Sequence, residues 1–135
     1  MKMKLELKVD KLVKEFDKMP DQIQKAMIDE LRLTGTMIET GYKIAVPVDQ
    51  GRLITSIHME HSDLKSYTYT DHKGNTYNGS LNYDLKPTQV IVGTNVEYAQ
   101  KIEYRGGKTK GKAALLNAFE SETRGLPERL AKLIK

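Results

Sequence analysis

The sequence predicts an α+β fold: a small antiparallel sheet with a long helix from the N-terminal half and a C-terminal helix packed on one face. Three observations predict it: one long stretch of helical periodicity, several short stretches of alternating apolar and polar residues, and Pro and Gly residues between them. The predicted order is β-α-α-β-hairpin-β-α-α, which lacks the regular βαβ alternation of a parallel sheet. No repeat or low-complexity linker divides the sequence, so residues 1–135 are expected to form a single domain.

The N-terminal half contains the strongest predicted element. Residues 3–9 alternate and predict a half-buried strand, and Asp10 can cap a short helix to about Lys18. A helix of about seven turns is then expected from Pro20 until just before Pro47. Its apolar stripe comprises Ile23, Met27, Leu31, Thr34, Ile38, Tyr42 and Ala45. Gly35 and Gly41 weaken this helix, and close packing on a sheet would be a reason to keep them.

The middle of the chain is predicted to be β-structure. Residues 53–60 alternate, which favours a strand. Residues 61–87 are polar, rich in Tyr and Asn, and contain a Gly between two β-forming stretches, which predicts a hairpin. Because this segment has few large aliphatic residues, we expect it to stay outside the core as a projecting β-arm or as a loop that orders on a partner.

The C-terminal part returns to helix after one buried-type strand at residues 88–93. A short helix is expected over residues 96–104, followed by a basic, Gly-rich loop at 105–111. Residues 113–123 predict the closing helix, with Ala114, Leu115, Ala118 and Phe119 on one side. Pro127 can open one or two last helical turns.

Composition excludes several classes of protein. The chain has no Cys, which excludes disulfides and thiolate metal sites and fits synthesis in a reducing cytoplasm. No signal peptide and no membrane span are expected. The net charge of +4 is uneven, since residues 101–135 hold nine Lys or Arg and four Asp or Glu. That excess is typical of a solvated face, and it also suits weak contact with DNA or with an acidic protein.

No set of residues indicates catalysis, a metal or a cofactor. His58 and His61 are irregularly spaced, and His72 lies in a predicted turn, so no metal site is expected. Gly106–Lys112 contains Gly-Lys-Thr but lacks the earlier Gly of a phosphate-binding loop. Glu97 and Glu103 are six residues apart and do not share a helix face. We therefore expect neither an enzyme nor a small-molecule substrate.

Two motifs carry a resemblance to a known family. The first is the segment from Ala45 to Ile57, which reads Ala-x-Pro-Val-Asp-x-Gly-x-Leu-x-x-Ser-Ile. The second is Val90–Tyr104, which contains Val-x-Val-Gly and later Tyr-Ala-x-x-x-Glu-Tyr. In this order, between a long helix and a closing helix, they resemble the tail-completion, or head–tail joining, family of long-tailed bacteriophages. The resemblance spans about residues 20–123.

The family motif residues in this chain are structural in character. They are Pro47, Asp49, Gly51, Leu53, Ser56, Gly93, Tyr98, Ala99 and Glu103. Pro47 can end the long helix, Gly51 can permit a turn into the following strand, and Tyr98 can pack a short helix on the sheet. The chain departs from the family at Arg105, which precedes Gly106, and it lacks the family's Pro-rich entry to the last helix.

The resemblance implies a structural virion protein of a phage or prophage, located at the head–tail junction or tail end. It implies a ring at the end of the tail tube, with hexameric symmetry, that binds the head connector and tail-tube proteins. For the interface we expect Tyr67, Tyr69, Tyr77, Tyr83, Arg105, Lys108 and Lys110. The alternative is a nucleic-acid-binding module that uses the basic C-terminal quarter, including Lys108, Lys110 and Lys112.

Overall fold

The predicted α+β architecture is present in the computed structural model, which describes residues 2–6, 16–46, 51–103 and 113–134. Within those ranges the strands are β1 (Lys2–Glu6), β2 (His58–His61), β3 (Thr68–Thr70), β4 (Thr76–Asn78) and β5 (Gln89–Gly93). The helices are α1 (Asp21–Ala45), α2 (Gly51–Ser56), α3 (Ala99–Glu103), α4 (Ala114–Thr123) and α5 (Leu126–Ile134). None of these helices combines the length and apolarity that crossing a membrane would require.

The strands form two antiparallel sheets. The larger has the order β1-β5-β2, so the predicted strand at residues 88–93 becomes its centre. Lys4 and Glu60 both pair with Ile91, one from each neighbouring strand. The smaller sheet is the hairpin β3–β4, which turns through Gly74 at a φ of 85°, a left-handed value that suits glycine. The predicted hairpin is thereby confirmed.

The inner face of the larger sheet is covered by α1. The predicted stripe is correct, because Met27, Leu31, Thr34, Ile38 and Tyr42 are all buried. A methyl group added at Gly35 would lie 2.5 Å from the Met59 sulfur and 2.7 Å from a Val90 methyl carbon. At Gly41 it would lie 3.3 Å from Ala118 of α4. Gly35 therefore lets α1 approach the sheet closely, as the sequence suggested, and Gly41 lets it approach α4, which the sequence did not predict.

The outer face of the same sheet is covered by part of the 61–87 segment. Side chains alternate along β5, so Ile91 points away from Val90 and Val92, which belong to the main core. Ile91 packs instead with Leu81 and Leu85 in a second buried cluster. The expectation that this segment stays outside the core is therefore wrong for Leu81 and Leu85, which are buried against Ile91.

One predicted strand is also wrong. Residues 51–56 form α2, and only His58–His61 are extended. Leu53, Ser56 and Ile57 are buried while Thr55 is exposed, which is a spacing of three and four and not of two. Gly51 accordingly begins a helix and does not turn the chain into a strand. Most of the short helix predicted over 10–18 lies outside the described residues.

Candidate assembly site

The two motif segments meet through a buried pair of hydroxyl groups. Ser56, at the end of α2, and Thr94, just after β5, are both almost fully buried, and their oxygens are 2.5 Å apart. Ser56 Oγ donates to the Leu53 carbonyl at 2.6 Å, so the proton between the two hydroxyls belongs to Thr94. Thr94 in turn accepts the Val96 N–H at 3.1 Å. This chain of hydrogen bonds fixes the first motif to the second.

Arg52 links both motifs to the hairpin. Its guanidinium makes an ion pair with Glu97 at 3.1 Å and lies over the Tyr77 ring, 4.4 Å from the centroid. A hydrogen bond with the Tyr69 side chain, together with Glu97, raises the pKa of Arg52 further above its ordinary value. Tyr98 lies close to the same junction, where burial raises its pKa while the nearby Arg52 guanidinium opposes that rise. The Arg52 side chain therefore joins the first motif segment, in which it lies, to the second motif segment and to the hairpin.

A buried histidine–carboxylate pair lies beneath the hairpin on the outer face of the sheet. His58 Nε2 is 2.6 Å from Glu60 Oε2, and His58 Nδ1 is 2.9 Å from the Ser56 carbonyl oxygen. A carbonyl only accepts, so Nδ1 must carry a proton. Nε2 and the carboxylate oxygen must then share a second proton, because two acceptors at this distance would repel each other. The same carboxylate oxygen accepts the Leu81 N–H at 2.8 Å.

This pair attaches the 61–87 segment to the sheet. Tyr67 stacks on the His58 ring, with centroids 3.9 Å apart and planes 8° from parallel, and its hydroxyl donates to the Thr55 carbonyl at 2.7 Å. Burial, and then the Glu39 carboxylate, raise the pKa of Tyr67, which favours this donating form. We call His58, Glu60 and Tyr67, with the N–H of Leu81, the polar clasp.

The four predicted interface tyrosines are placed differently from one another. Tyr69 is only 5% exposed and stacks against Tyr77, 5.1 Å away, so it belongs to the core in this structure. Tyr67 and Tyr77 are partly buried, and the Tyr77 hydroxyl donates to Asp71 at 2.9 Å. Tyr83 is 38% exposed in a loop that Leu81 and Leu85 anchor at either end. Tyr83 is therefore the most accessible of the four.

The motif glutamate at position 103 caps a helix. Glu103 is 2% exposed, and its two carboxylate oxygens accept the N–H groups of Leu115 and Leu116 at 2.9 and 3.1 Å. Those donors belong to the first turn of α4, whose own N-cap residue, Ala113, provides no side-chain hydrogen bond. Burial, with a contribution from Glu103, raises the pKa of Tyr42 on α1. Glu103 thus connects the end of α3 to the start of α4 and lies near Tyr42 of α1.

The remaining motif residues divide into those the structure describes and those it does not. Leu53 and Ala99 are fully buried, and Gly93 pairs with Lys2 and His58 in the sheet. Pro47, Asp49, Arg105, Lys108 and Lys110 lie outside the described residues, as do Lys112 and the rest of the basic loop.

Within the described ranges, these contacts are suited to holding elements of the fold together. Among the described residues, no group of three or more His, Asp or Glu could hold a metal ion. His61 does not join His58, because its Nδ1 accepts the N–H of Asp63 at 3.2 Å. Its pKa is lowered by burial and by the Arg32 guanidinium. Glu97 and Glu103 have separate partners, so they form no acid–base pair.

Sequence reasoning missed the roles of three residues at this site. The His58-x-Glu60 spacing places both side chains on one face of a strand, and that signal was available in the sequence. The pair is easily missed when residues 53–60 are interpreted as one continuous strand, because His58 and Glu60 then look like ordinary outward residues. Arg52 lies between two motif positions and gave no signal, since its partners are 25 and 45 residues further along the chain.

Comparison with protein families places the chain. A family model described as "Bacteriophage HK97-gp10, putative tail-component" matches residues 10–104, which is well over half of the chain and includes both motifs. Searches of the curated proteins and of the solved structures gave no match. The matched range includes the Ser56–Thr94 contact between the motifs, the polar clasp and the hairpin. It ends just before the basic loop. The chain therefore belongs to the HK97-gp10-like family and is a structural protein associated with the bacteriophage tail.

Proposed function

We propose that this protein is a tail-completion subunit, which forms a ring at the end of the tail tube and connects it to the head connector. The observation that carries the proposal is the family match across both motifs, taken with what those motifs do in the fold. Ser56, Thr94 and Glu103 are buried and hold backbone and helix ends, so the signature maintains a framework. A framework with variable surface segments suits a subunit that joins different neighbours.

The surface of the described residues supports an assembly role. β1 and β2 are the outer strands of the larger sheet, and strand edges can pair with an extended segment of another chain. Tyr83 is presented between two buried leucines, and an aromatic ring on an anchored loop is a typical contact residue. A closed ring whose symmetry matches the tail, expected to be a hexamer, would use such contacts head to tail. Arg105, Lys108 and Lys110 remain secondary interface candidates.

Deletion of the gene from the parent phage tests the joining role directly. We expect electron microscopy of the lysate to show DNA-filled heads beside separate, complete tails, and a plasmid-borne copy should restore whole virions. Normal virions from the deletion strain would overturn the proposal. Incomplete or absent tails would also overturn it, because they would place the protein earlier in tail assembly.

The interface is better tested by a single substitution than by removal of the hairpin. Replacement of residues 61–87 would uncover Ile91 and break the polar clasp, so a failure to assemble would not identify a contact. Tyr83→Ser changes an accessible side chain, and we expect a folded subunit with fewer completed particles. His72→Ser is the matched control, because it also shortens an exposed side chain of the same segment. Equal assembly by both variants would exclude Tyr83 from the interface.

A nucleic-acid-binding module is the second candidate, and the observation that favours it is the basic excess in residues 101–135. It predicts that the purified protein binds duplex DNA with an affinity that falls steeply as salt increases. Absence of binding at low salt would exclude it.

A further inference from the structure

Helix α1 has a second apolar face that is exposed in the part of the chain that the structure describes. Leu33, Met37 and Ile44 are 53%, 41% and 71% exposed, and with Thr40 they form what we call the outer stripe. Their positions follow steps of four, three and four, which is the seam spacing of helices that pack along each other. The stripe lies about 130° around the helix from the centre of the buried face. A surface helix of a globular domain ordinarily needs only one apolar face.

The outer stripe borders a groove between α1 and α4. A cavity of about 280 Å³ is lined by Thr36, Met37, Thr40, Gly41 and Ile44 of α1 and by Glu122 of α4. The groove has small residues on its floor, because Gly41 lies against Ala118 where the two helices approach. Apolar side chains beside such a hollow give a surface into which the side chains of another helix can insert.

Charge decides which kind of helix fits. The residue that α4 contributes to the groove is Glu122, and the exposed Glu120 lies on the same helix. No Lys or Arg is among the residues that line the groove, and α4 itself contains none. A second copy packed antiparallel on the outer stripe would bring its own Glu122 towards this one, which like charge disfavours. A helix with Lys or Arg beside its apolar face is complementary.

We infer that the outer stripe and this groove bind an amphipathic helix with flanking Lys or Arg residues from a different protein of the virion. The identity of that partner as a virion protein rests on the proposed function, whereas binding of such a helix does not. The helix would lie along α1, with apolar side chains over Met37 and Ile44 and a cation near Glu122. The outer stripe faces about 130° away from the centre of the buried face of α1, so we expect the polar clasp and the hairpin to remain unchanged on binding.

A direct binding measurement tests the inference with the full-length protein. The probe is a synthetic helical peptide of about 20 residues, with Leu at the seam positions and Lys beside them, labelled for fluorescence anisotropy. A matched peptide has Glu in place of each Lys. We expect the Lys peptide to bind at least about tenfold more tightly than the Glu peptide, and Glu122→Gln to reduce both that difference and the salt dependence.

Two variants decide whether binding uses this face. Ile44→Glu places a charge on an already exposed position of the outer stripe, so it should fold normally and lose about tenfold or more in affinity. Leu64→Glu is the control, since Leu64 is 46% exposed in the turn after β2. Equal affinity of both variants for the Lys peptide would overturn the inference. So would a dimer of the unmodified protein in sedimentation that Ile44→Glu abolishes, because the face would then bind a second copy.

Complementation separates this inference from the proposed function. If Ile44→Glu loses peptide binding and fails to restore virions to the deletion strain, both are supported. Loss of peptide binding with full restoration would overturn the partner assignment and leave the joining role intact. A deletion strain that yields normal virions would overturn the joining role, while the peptide result would still stand.

Discussion

The two faces of the three-stranded sheet are closed in different ways. On the inner face, α1 packs by apolar contact, with Gly35 against Met59 and Val90. On the outer face, the 61–87 segment is held by the polar clasp and by Leu81 and Leu85 over Ile91. Apolar packing tolerates small adjustments of many contacts, whereas the clasp depends on one carboxylate that accepts from two donors. We therefore expect single changes on the outer face to have larger effects.

Removal of the clasp carboxylate should have the largest effect. Glu60→Ala leaves the buried His58 ring and the Leu81 N–H without their partner, which should lower the free energy of unfolding by about 3–5 kcal/mol. Urea denaturation measures the loss. Glu97→Ala is the matched control, because that carboxylate is 71% exposed and solvent screens its pairing with Arg52, so its loss should change stability little.

The expected difference between the two faces is contradicted if Glu60→Ala lowers the free energy of unfolding no more than Glu97→Ala does. Hydrogen exchange gives a second measure of the same variant. The Leu81 amide should exchange much faster in Glu60→Ala, while the amides in the middle of α1 lose protection only as far as global stability falls. Uniform loss at both places would mean that the two faces unfold as one unit.

A change at the inner face should have a smaller effect. Gly35→Ala places a carbon within 2.7 Å of a buried Val90 methyl carbon, and such overpacking costs about 1–3 kcal/mol. The gain in helix propensity offsets about 1 kcal/mol of this cost, so a net loss of up to about 2 kcal/mol is expected in thermal or urea unfolding. Gly41→Ala, 3.3 Å from Ala118, should change stability by less. A larger loss of stability from Gly41→Ala than from Gly35→Ala would contradict this. It would mean that α1 shifts to relieve the close contact at Gly35 while the sheet stays in place.

A change at Glu103 tests whether the loss of a buried polar contact also lowers stability among the helices. Glu103→Ala uncaps α4, and loss of a cap costs about 1–2 kcal/mol. Glu103→Gln keeps one acceptor oxygen, so it should retain part of that stability. A loss from Glu103→Ala as large as that from Glu60→Ala would show that buried carboxylates, and not the outer face, account for the difference.

The same contrast explains what the sequence could predict. Periodicity identified the long helix, the central strand and the closing helix, because apolar residues at helical or alternating spacing are what the inner face needs. The two glycines in α1 suggested close packing on a sheet, which Gly35 makes, whereas the contact of Gly41 with α4 was not predicted. The predicted strand over residues 53–60 is wrong in its first half, because a short apolar stretch fits both periods and the buried Ser56 fits the alternation as an outward polar residue. Short elements of this kind are decided by tertiary contacts.

The outer face and the site were harder to predict for a physical reason. The polar clasp joins a strand to backbone 21 residues away, and Arg52 contacts residues that are distant in sequence. Hydrogen-bond partners at such separations leave no periodic pattern. A polar, aliphatic-poor segment therefore looked like a projecting arm. The motifs indicated the family correctly, but they did not show that Tyr69 is buried or that Arg52 joins them.

The smallest expected effect lies in the hairpin turn, where it separates local closure of the turn from attachment by the clasp. Desolvation opposes ionisation of Asp71, but hydrogen bonds from the Asn75 N–H, the Tyr77 hydroxyl, the Asn75 side chain and the Lys73 N–H lower its pKa from 3.8 to about 2. The folded pKa lies below the unfolded value. The carboxylate therefore stabilises the turn fully above about pH 4 and loses this contribution as the pH falls towards 2.

We expect the Asn75 amide resonance to titrate with a midpoint near 2 in NMR spectra, and Asp71→Asn should abolish that transition. The Leu81 amide, which is held by Glu60 and not by the turn, should not follow the same midpoint. A midpoint near 3.8 at Asn75 would mean that the four hydrogen bonds to Asp71 do not persist in solution. A shared midpoint at Asn75 and Leu81 would mean instead that turn and clasp open together, and the outer face would then behave as a single cooperative flap.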